Sequence, residues 1–142
     1  MGRAGALDLA TRALARRDFS ERGLRERLER AGVSVAEAEE ALAMLRLDGV
    51  LDDRRFASNR AQTLAERGKG DAAIRFDLET QGLAGEQIEA AVAELEPERA
   101  RAERIVSRRG SGPATARLLA GRGFDRDAIE AAVAPGTQAA LG

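Results

Sequence analysis

The chain contains neither cysteine nor histidine. Those absences exclude a disulfide framework and thiolate chemistry, and they remove the commonest zinc ligands and the most frequent general base. Tryptophan and tyrosine are absent too, and only four phenylalanines and three prolines occur. Scarce aromatics with abundant Ala, Leu, Glu and Arg favour helices over sheets, because straight side chains lose little rotamer freedom in a helix. No uncharged apolar run approaches the ~18 residues that would span a membrane. The N-terminus lacks the apolar stretch of a signal peptide, so a cytoplasmic protein is expected. Gly68-Lys69-Gly70-Asp71 has neither the spacing of a phosphate-binding loop nor its following Ser or Thr. Ser111 has no histidine to activate it and reads as a turn residue. No enzyme activity, cofactor or metal site is expected.

Charge is plentiful but nearly balanced. The 142 residues are 33% charged, with 23 basic and 24 acidic side chains and a net charge of −1. Residues 1–51 carry nine Arg against nine acids; residues 52–96 are net −4 and residues 97–142 net +3. An autonomous DNA-binding domain usually shows an overall basic excess, which is missing here, although a local arginine stripe could still meet phosphates. Lys69 is the one lysine. Such a bias reflects either coding preference or a need for bidentate contacts with carboxylate or phosphate.

Against these absences stands a repeat. Leu28-x-x-x-Gly32-Val33 recurs as Leu78-x-x-x-Gly82-Leu83 and as Leu119-x-x-x-Gly123-Phe124, at offsets of 50 and then 41 residues. The same offsets relate Leu14, Leu64 and Ile105, then Ala38, Ile88 and Ile129, then Leu42, Val92 and Val133. A repeat of this period predicts stacked supersecondary units that cannot each bury their apolar face alone.

The apolar spacing predicts three helices in each unit and no strand. In the first, Ser20 caps the second helix, Gly32 ends it in the left-handed conformation, and Ser34-Val35-Ala36-Glu37 opens the third as a capping box. In the second, Asp52 and Asp53 read as helix-start residues rather than as a catalytic or metal-binding pair. The third follows Pro97, placed at a first helical position. It is shortened, and the nine missing residues are assigned to its connector and first helix. The expected fold is all-α: three tandem three-helix repeats, at 1–51, 52–96 and 97–135, forming an elongated, curved array completed by packing between neighbours. Residues 136–142 are expected to be a flexible tail.

Two helices joined by a turn containing glycine also fit a DNA-binding helix-turn-helix. Against that alternative, the position four residues before the turn glycine is a bulky Leu in all three units. Glu37, Glu39 and Glu40 on the third helix would moreover repel phosphates.

The segment Asp48-Gly-Val-Leu-Asp-Asp-Arg-Arg-Phe-Ala57, followed by Arg60, Arg67-Gly-Lys-Gly70, Leu78-x-x-x-Gly82-Leu83 and Arg122-Gly123-Phe124, resembles the RecX regulatory proteins of bacteria. The likeness runs from about Ala6 to Val133. It implies tandem three-helix repeats, no catalytic residues and a partner, the RecA recombinase filament, with the DNA inside that filament as a second candidate contact. It further implies binding along the filament groove, limiting recombinase activity and the coprotease activity behind the SOS response. A monomer is expected. A helical array can gain affinity from many weak contacts along a polymer. The candidate contacts are Arg55, Arg60, Arg67, Lys69 and Arg75 in the middle unit, with Arg108 and Arg109 nearby.

Overall fold

The computed structural model describes residues 2–134, and among them the chain forms nine α-helices and no strand. The first triplet is α1 (Arg3–Arg16), α2 (Glu21–Arg30) and α3 (Val35–Leu47). The second is α4 (Asp53–Glu66), α5 (Asp71–Thr80) and α6 (Gly85–Ala93), and the third α7 (Glu98–Arg109), α8 (Pro113–Gly121) and α9 (Arg126–Val133). The tail expected at 136–142 lies outside the described residues.

The repeated motif is a helix stop built the same way three times. After α2, the Gly32 N–H donates to Glu29 O and the Val33 N–H to Leu28 O; Gly82 with Leu83, and Gly123 with Phe124, repeat both bonds. These two bonds satisfy carbonyls that the helix end leaves open, and they require the glycine to sit at positive φ, between 85° and 89° here. Leu28, Leu78 and Leu119 are fully buried, and the apolar residue after each glycine is buried with them. The motif is therefore a turn and a core position at once.

Starts are more varied. Ser20 accepts from the Gly23 N–H, Ser34 from Glu37, Asp52 from Arg54 and Arg55, and Asp125 from Asp127. Pro97 is the residue before α7 and not its first helical residue; Pro113 holds that place in α8. The shortening is also distributed differently from expectation. Part of it falls on the end of the second unit, where α6 has 9 residues against 13 in the equivalent α3, and α7 has 12 against 14 in α4.

Packing corrects the expectation that neighbours complete one another's cores. Each triplet closes its own apolar cluster: around Leu24, Leu28 and Leu42; around Ile74, Leu78 and Ile88; and around Ala102, Leu119 and Phe124. The third is the smallest, and its Ile129 and Val133 are only half-buried.

The junctions are polar and alike. At the first, the Glu21 N–H at the start of α2 donates to Asp53 Oδ1 (2.7 Å), while Ser20 Oγ donates to Gln81 O (2.8 Å). At the second, the Asp71 N–H at the start of α5 donates to Glu98 Oε2 (2.6 Å), and the Gly70 and Ala72 N–H groups donate to Arg122 O and Gly123 O. In both, a carboxylate on the first helix of one unit receives the N-terminus of the middle helix of the unit before it. Anionic oxygen is favoured there by the open N–H groups and the helix dipole.

Candidate partner interface

The six arginines and one lysine singled out in the sequence divide by what their charged ends already touch. Arg55 donates to Gly49 O (3.1 Å) and Val50 O (2.9 Å), closing the end of α3. Arg60 on α4 grips Asp77 on α5 through two bonds, Nε–Oδ1 2.6 Å and Nη2–Oδ2 2.9 Å. That hydrogen bonding raises the Arg60 pKa above its ordinary value; partial burial opposes it and the attraction of the Asp77 charge adds to it. Arg75 on α5 holds Glu89 on α6 in the same two-pronged way, at 3.0 and 3.1 Å, with its pKa likewise raised chiefly by the hydrogen bond. Arg60 and Arg75 tie helices together inside the second unit and Arg55 joins α4 to the end of the first, so as partner contacts each would have to give up bonds it already makes.

Arg67, Lys69, Arg108 and Arg109 make no ion pair among the described residues and are exposed. Three of them come together. Arg67 at the end of α4 and Arg108 and Arg109 at the end of α7 line one open groove of about 410 Å³ with Arg122, and Glu66 is the carboxylate on its wall. Arg122 belongs to the Arg122-Gly123-Phe124 motif but was not among the candidate contacts. Its backbone carbonyl seals the second junction while its side chain reaches the groove.

Several structural residues also escape a reading by pattern. Arg101 is buried at the second junction, bound to Asp71 and to Glu96 O, with its guanidinium 5.8 Å from the Phe124 ring centroid. Glu98 receives both the Asp71 and the Asp125 N–H groups. Asp53 does not cap its own helix; it serves α2 of the preceding unit. Burial, first of all, and the neighbouring Glu21 and Asp52 charges push its pKa up, while the Glu21 N–H and Arg46 pull it down. One pair was within reach of the sequence: the 50-residue offset carries Arg25–Glu39 onto Arg75–Glu89, and both ion pairs form.

Comparison with known proteins places this geometry. The model of the second three-helix domain of RecX matches residues 52–92, which spans α4 to α6. The regulatory protein RecX of Stenotrophomonas maltophilia (strain R551-3) is 37% identical over 129 residues, 84% of this chain and 79% of that protein. The chain belongs to the RecX family. A second RecX regulatory protein, from Halorhodospira halophila, is 34% identical over 137 residues, covering 89% of this chain and 85% of its own. The fold agrees with the crystal structure of RecX from Lactobacillus salivarius at a TM-score of 0.81, 16% identity, and coverage of 99% and 97% of the two chains. The relatives that carry the RecX name are regulatory proteins. Two segments that carried the resemblance, Arg67-Gly-Lys-Gly70 and Arg122-Gly123-Phe124, prove to be two sides of one junction. A Cβ on Gly70 would lie 2.3 Å from the Phe124 nitrogen. No helix among the described residues is long and apolar enough to cross a membrane.

Proposed function

We propose that the protein is a non-enzymatic cytoplasmic regulator of the RecA recombinase. In this reading a monomer lies along the RecA–DNA filament and restrains its recombinase and coprotease activities. The observation that carries the reading is RecX kinship at 37% identity over 84% of the chain. The architecture supports it. Three units with separate cores, proposed as the modules 1–51, 52–96 and 97–135, can each make a weak contact with successive subunits of a polymer. Tethered contacts multiply in effect without any one being strong. Arg67, Lys69, Arg108 and Arg109 are the proposed contacts, because their charge is not already engaged within the protein. Sequence-specific DNA reading by the third helix of a unit is disfavoured by Glu37, Glu39 and Glu40 on α3, since acids repel the phosphates beside a major groove.

The test is a filament assay with the cognate recombinase. Substoichiometric protein is expected to slow RecA-dependent ATP hydrolysis and strand exchange, and Arg67→Glu with Arg108→Glu is expected to weaken that effect while the protein stays folded. If a large excess of the wild type leaves both activities unchanged, the reading is wrong.

A further inference from the structure

We propose that the first junction is a hinge and the second a rigid seam, so that the first unit swings as an arm on a body formed by the second and third. The offsets that relate the units pair Ser20 with Gly70 across 50 residues, and Gln81 with Arg122 and Gly82 with Gly123 across 41. The two junctions can therefore be compared atom by atom. Both seat a carboxylate of the later unit, Asp53 or Glu98, on the start of the earlier unit's middle helix. They differ in what else crosses them.

At the second junction the backbones touch. The Gly70 N–H donates to Arg122 O (2.8 Å) and the Ala72 N–H to Gly123 O (3.1 Å). That approach leaves no room for a side chain at 70, where a Cβ would lie 2.5 Å from the Gly123 oxygen. At the first junction Ser20 holds the place of Gly70. Its buried hydroxyl stands between the two units, accepting the Gly23 N–H (3.1 Å) and donating to Gln81 O (2.8 Å). Among the described residues, neither backbone bond of the second junction has a counterpart here: no bond runs from the Ser20 or Arg22 N–H to Gln81 or Gly82. A Cβ on Gly82 would meet the side chain of Arg22, whereas one on Gly123 would meet the backbone nitrogen of Ala73. A side chain that is 53% exposed can swing aside, and a helix backbone cannot.

Charge and connector make the same distinction. Three residues after Glu98 stands Arg101, whose side chain is 8% exposed and pairs with Asp71 across the junction. Opening that junction would leave a buried charge without its partner, which is costly. Three residues after Asp53 stands Phe56, an apolar core residue of its own unit, and no ion pair among the described residues joins the first two units. The first connector passes through Gly49, at φ +75° with open space around it. The second passes through Pro97, whose ring fixes φ near −50°. A hinge needs a few such loop residues to absorb the change in backbone angle. Arg55 opposes the bend by holding Gly49 O and Val50 O, but through a side chain 48% exposed, where water competes for both bonds. On any extended partner, the second and third units then present one fixed surface while the first adjusts. The inference goes beyond the recombinase reading, because it concerns the motion of the free chain.

Double electron–electron resonance tests it on the full chain without any partner. The chain has no cysteine, so introduced cysteines alone take the nitroxide labels. Glu40→Cys with Glu79→Cys spans the first junction, and Glu79→Cys with Ala114→Cys spans the second; all three positions are exposed. The distance distribution across the first junction is expected to be about twofold wider or more than that across the second. Gly70→Ser places the side chain of the first junction into the second, and should widen the second distribution while leaving the first as it was. Circular dichroism checks that the variant is folded, and the comparison within the wild type decides the hinge even where it is not. Equal widths across the two junctions, a wider distribution across the second, or a folded Gly70→Ser variant with an unchanged second distribution would overturn the proposal. No recombinase enters the measurement, so its outcome and that of the filament assay are independent.

Discussion

Arg60 in the middle of α4 and Arg67 at its end are seven residues apart, yet their guanidiniums do different things. The Arg60 head is committed to Asp77, whose carboxylate is 27% exposed and would lose its partner if Arg60 were cut back. Arg60→Ala is therefore expected to lower stability by about 1 kcal/mol, toward the upper end for a pair near the surface because both prongs are made. Arg67→Ala should stay within about 0.5 kcal/mol of wild type, as for a surface residue without partners. Urea melts of the two variants decide this; equal losses would mean that the pairing contributes nothing. Asp53 offers a test by pH. Its folded pKa lies above the ordinary 3.8, chiefly through burial. Its titration therefore favours the fold most below the unfolded value, and that contribution is lost as pH rises through the raised folded value. Asp53→Asn keeps an oxygen to accept the Glu21 N–H and carries no charge. The variant should melt no lower than wild type at pH 7, and any advantage should shrink toward pH 3; a variant that melts well below wild type at pH 7 would show that the charge itself holds the junction. Such distinctions were not legible in the sequence. The pattern of Arg and Asp showed where charge lies along the chain, but Arg60 meets a carboxylate 17 residues away and Asp53 a backbone N–H 32 residues away. Those pairings are set by how helices cross, which no local spacing encodes.

Among elements, helix number, helix type and the glycine stops were readable because they rest on short-range rules: apolar spacing, a side-chain cap, a residue able to take positive φ. What could not be read was how one unit meets the next, since the junctions use backbone atoms that every residue possesses. Three glycines separate the two kinds of constraint. Gly32 has φ +89° and open space where a Cβ would go. Gly70 has ordinary extended backbone, but a Cβ would fall 2.3 Å from the Phe124 nitrogen and 2.4 Å from the Gly123 carbonyl carbon. Gly123 has both problems, with φ +88° and Ala73 2.6 Å away. Alanine at 32 should cost about 1 kcal/mol, the conformational term alone. At 70 it should cost about 1–3 kcal/mol, the range for overpacking, by forcing the second junction apart. At 123 it should cost more than at 32. Hydrogen exchange provides the second readout: substitution at 70 should expose the Gly70 and Ala72 amides that donate across the junction, whereas substitution at 32 should leave them protected. Equal exchange at those amides in both variants would mean that the close approach of Gly70 to Gly123 does not hold the units together.

Three separate cores joined by polar seams should make the whole molecule behave as a short chain of semi-independent folding units rather than as one cooperative globule. In such an array, stability is approximately a sum of unit stabilities and nearest-neighbour junction terms, so units can open one at a time. The third unit should open most readily. Its cluster is the smallest, and Ile129 and Val133 are half-buried where Ala38, Ile88, Leu42 and Val92 are buried in the earlier units. The second junction opposes this, with two backbone hydrogen bonds and the buried Arg101 holding α7 and α8 against α5. Those bonds link the third unit to the second without enlarging its own core, so they couple its opening to the junction. Matched truncations separate the two pictures. Leu28→Ala and Leu119→Ala remove the same fully buried side chain from repeat-related positions in the first and third units, and each should cost about 2–5 kcal/mol locally. Hydrogen exchange followed by mass spectrometry should then show lost protection confined mainly to α1–α3 for the first variant and to α7–α9 for the second. A single cooperative domain would instead lose protection everywhere in both variants, and that outcome would remove the basis for treating the units as separate docking modules. If the array lies along a polymer, as proposed, local opening would have a functional consequence. A unit that can open or release alone lets the rest remain attached, so the length of contact can change without full dissociation.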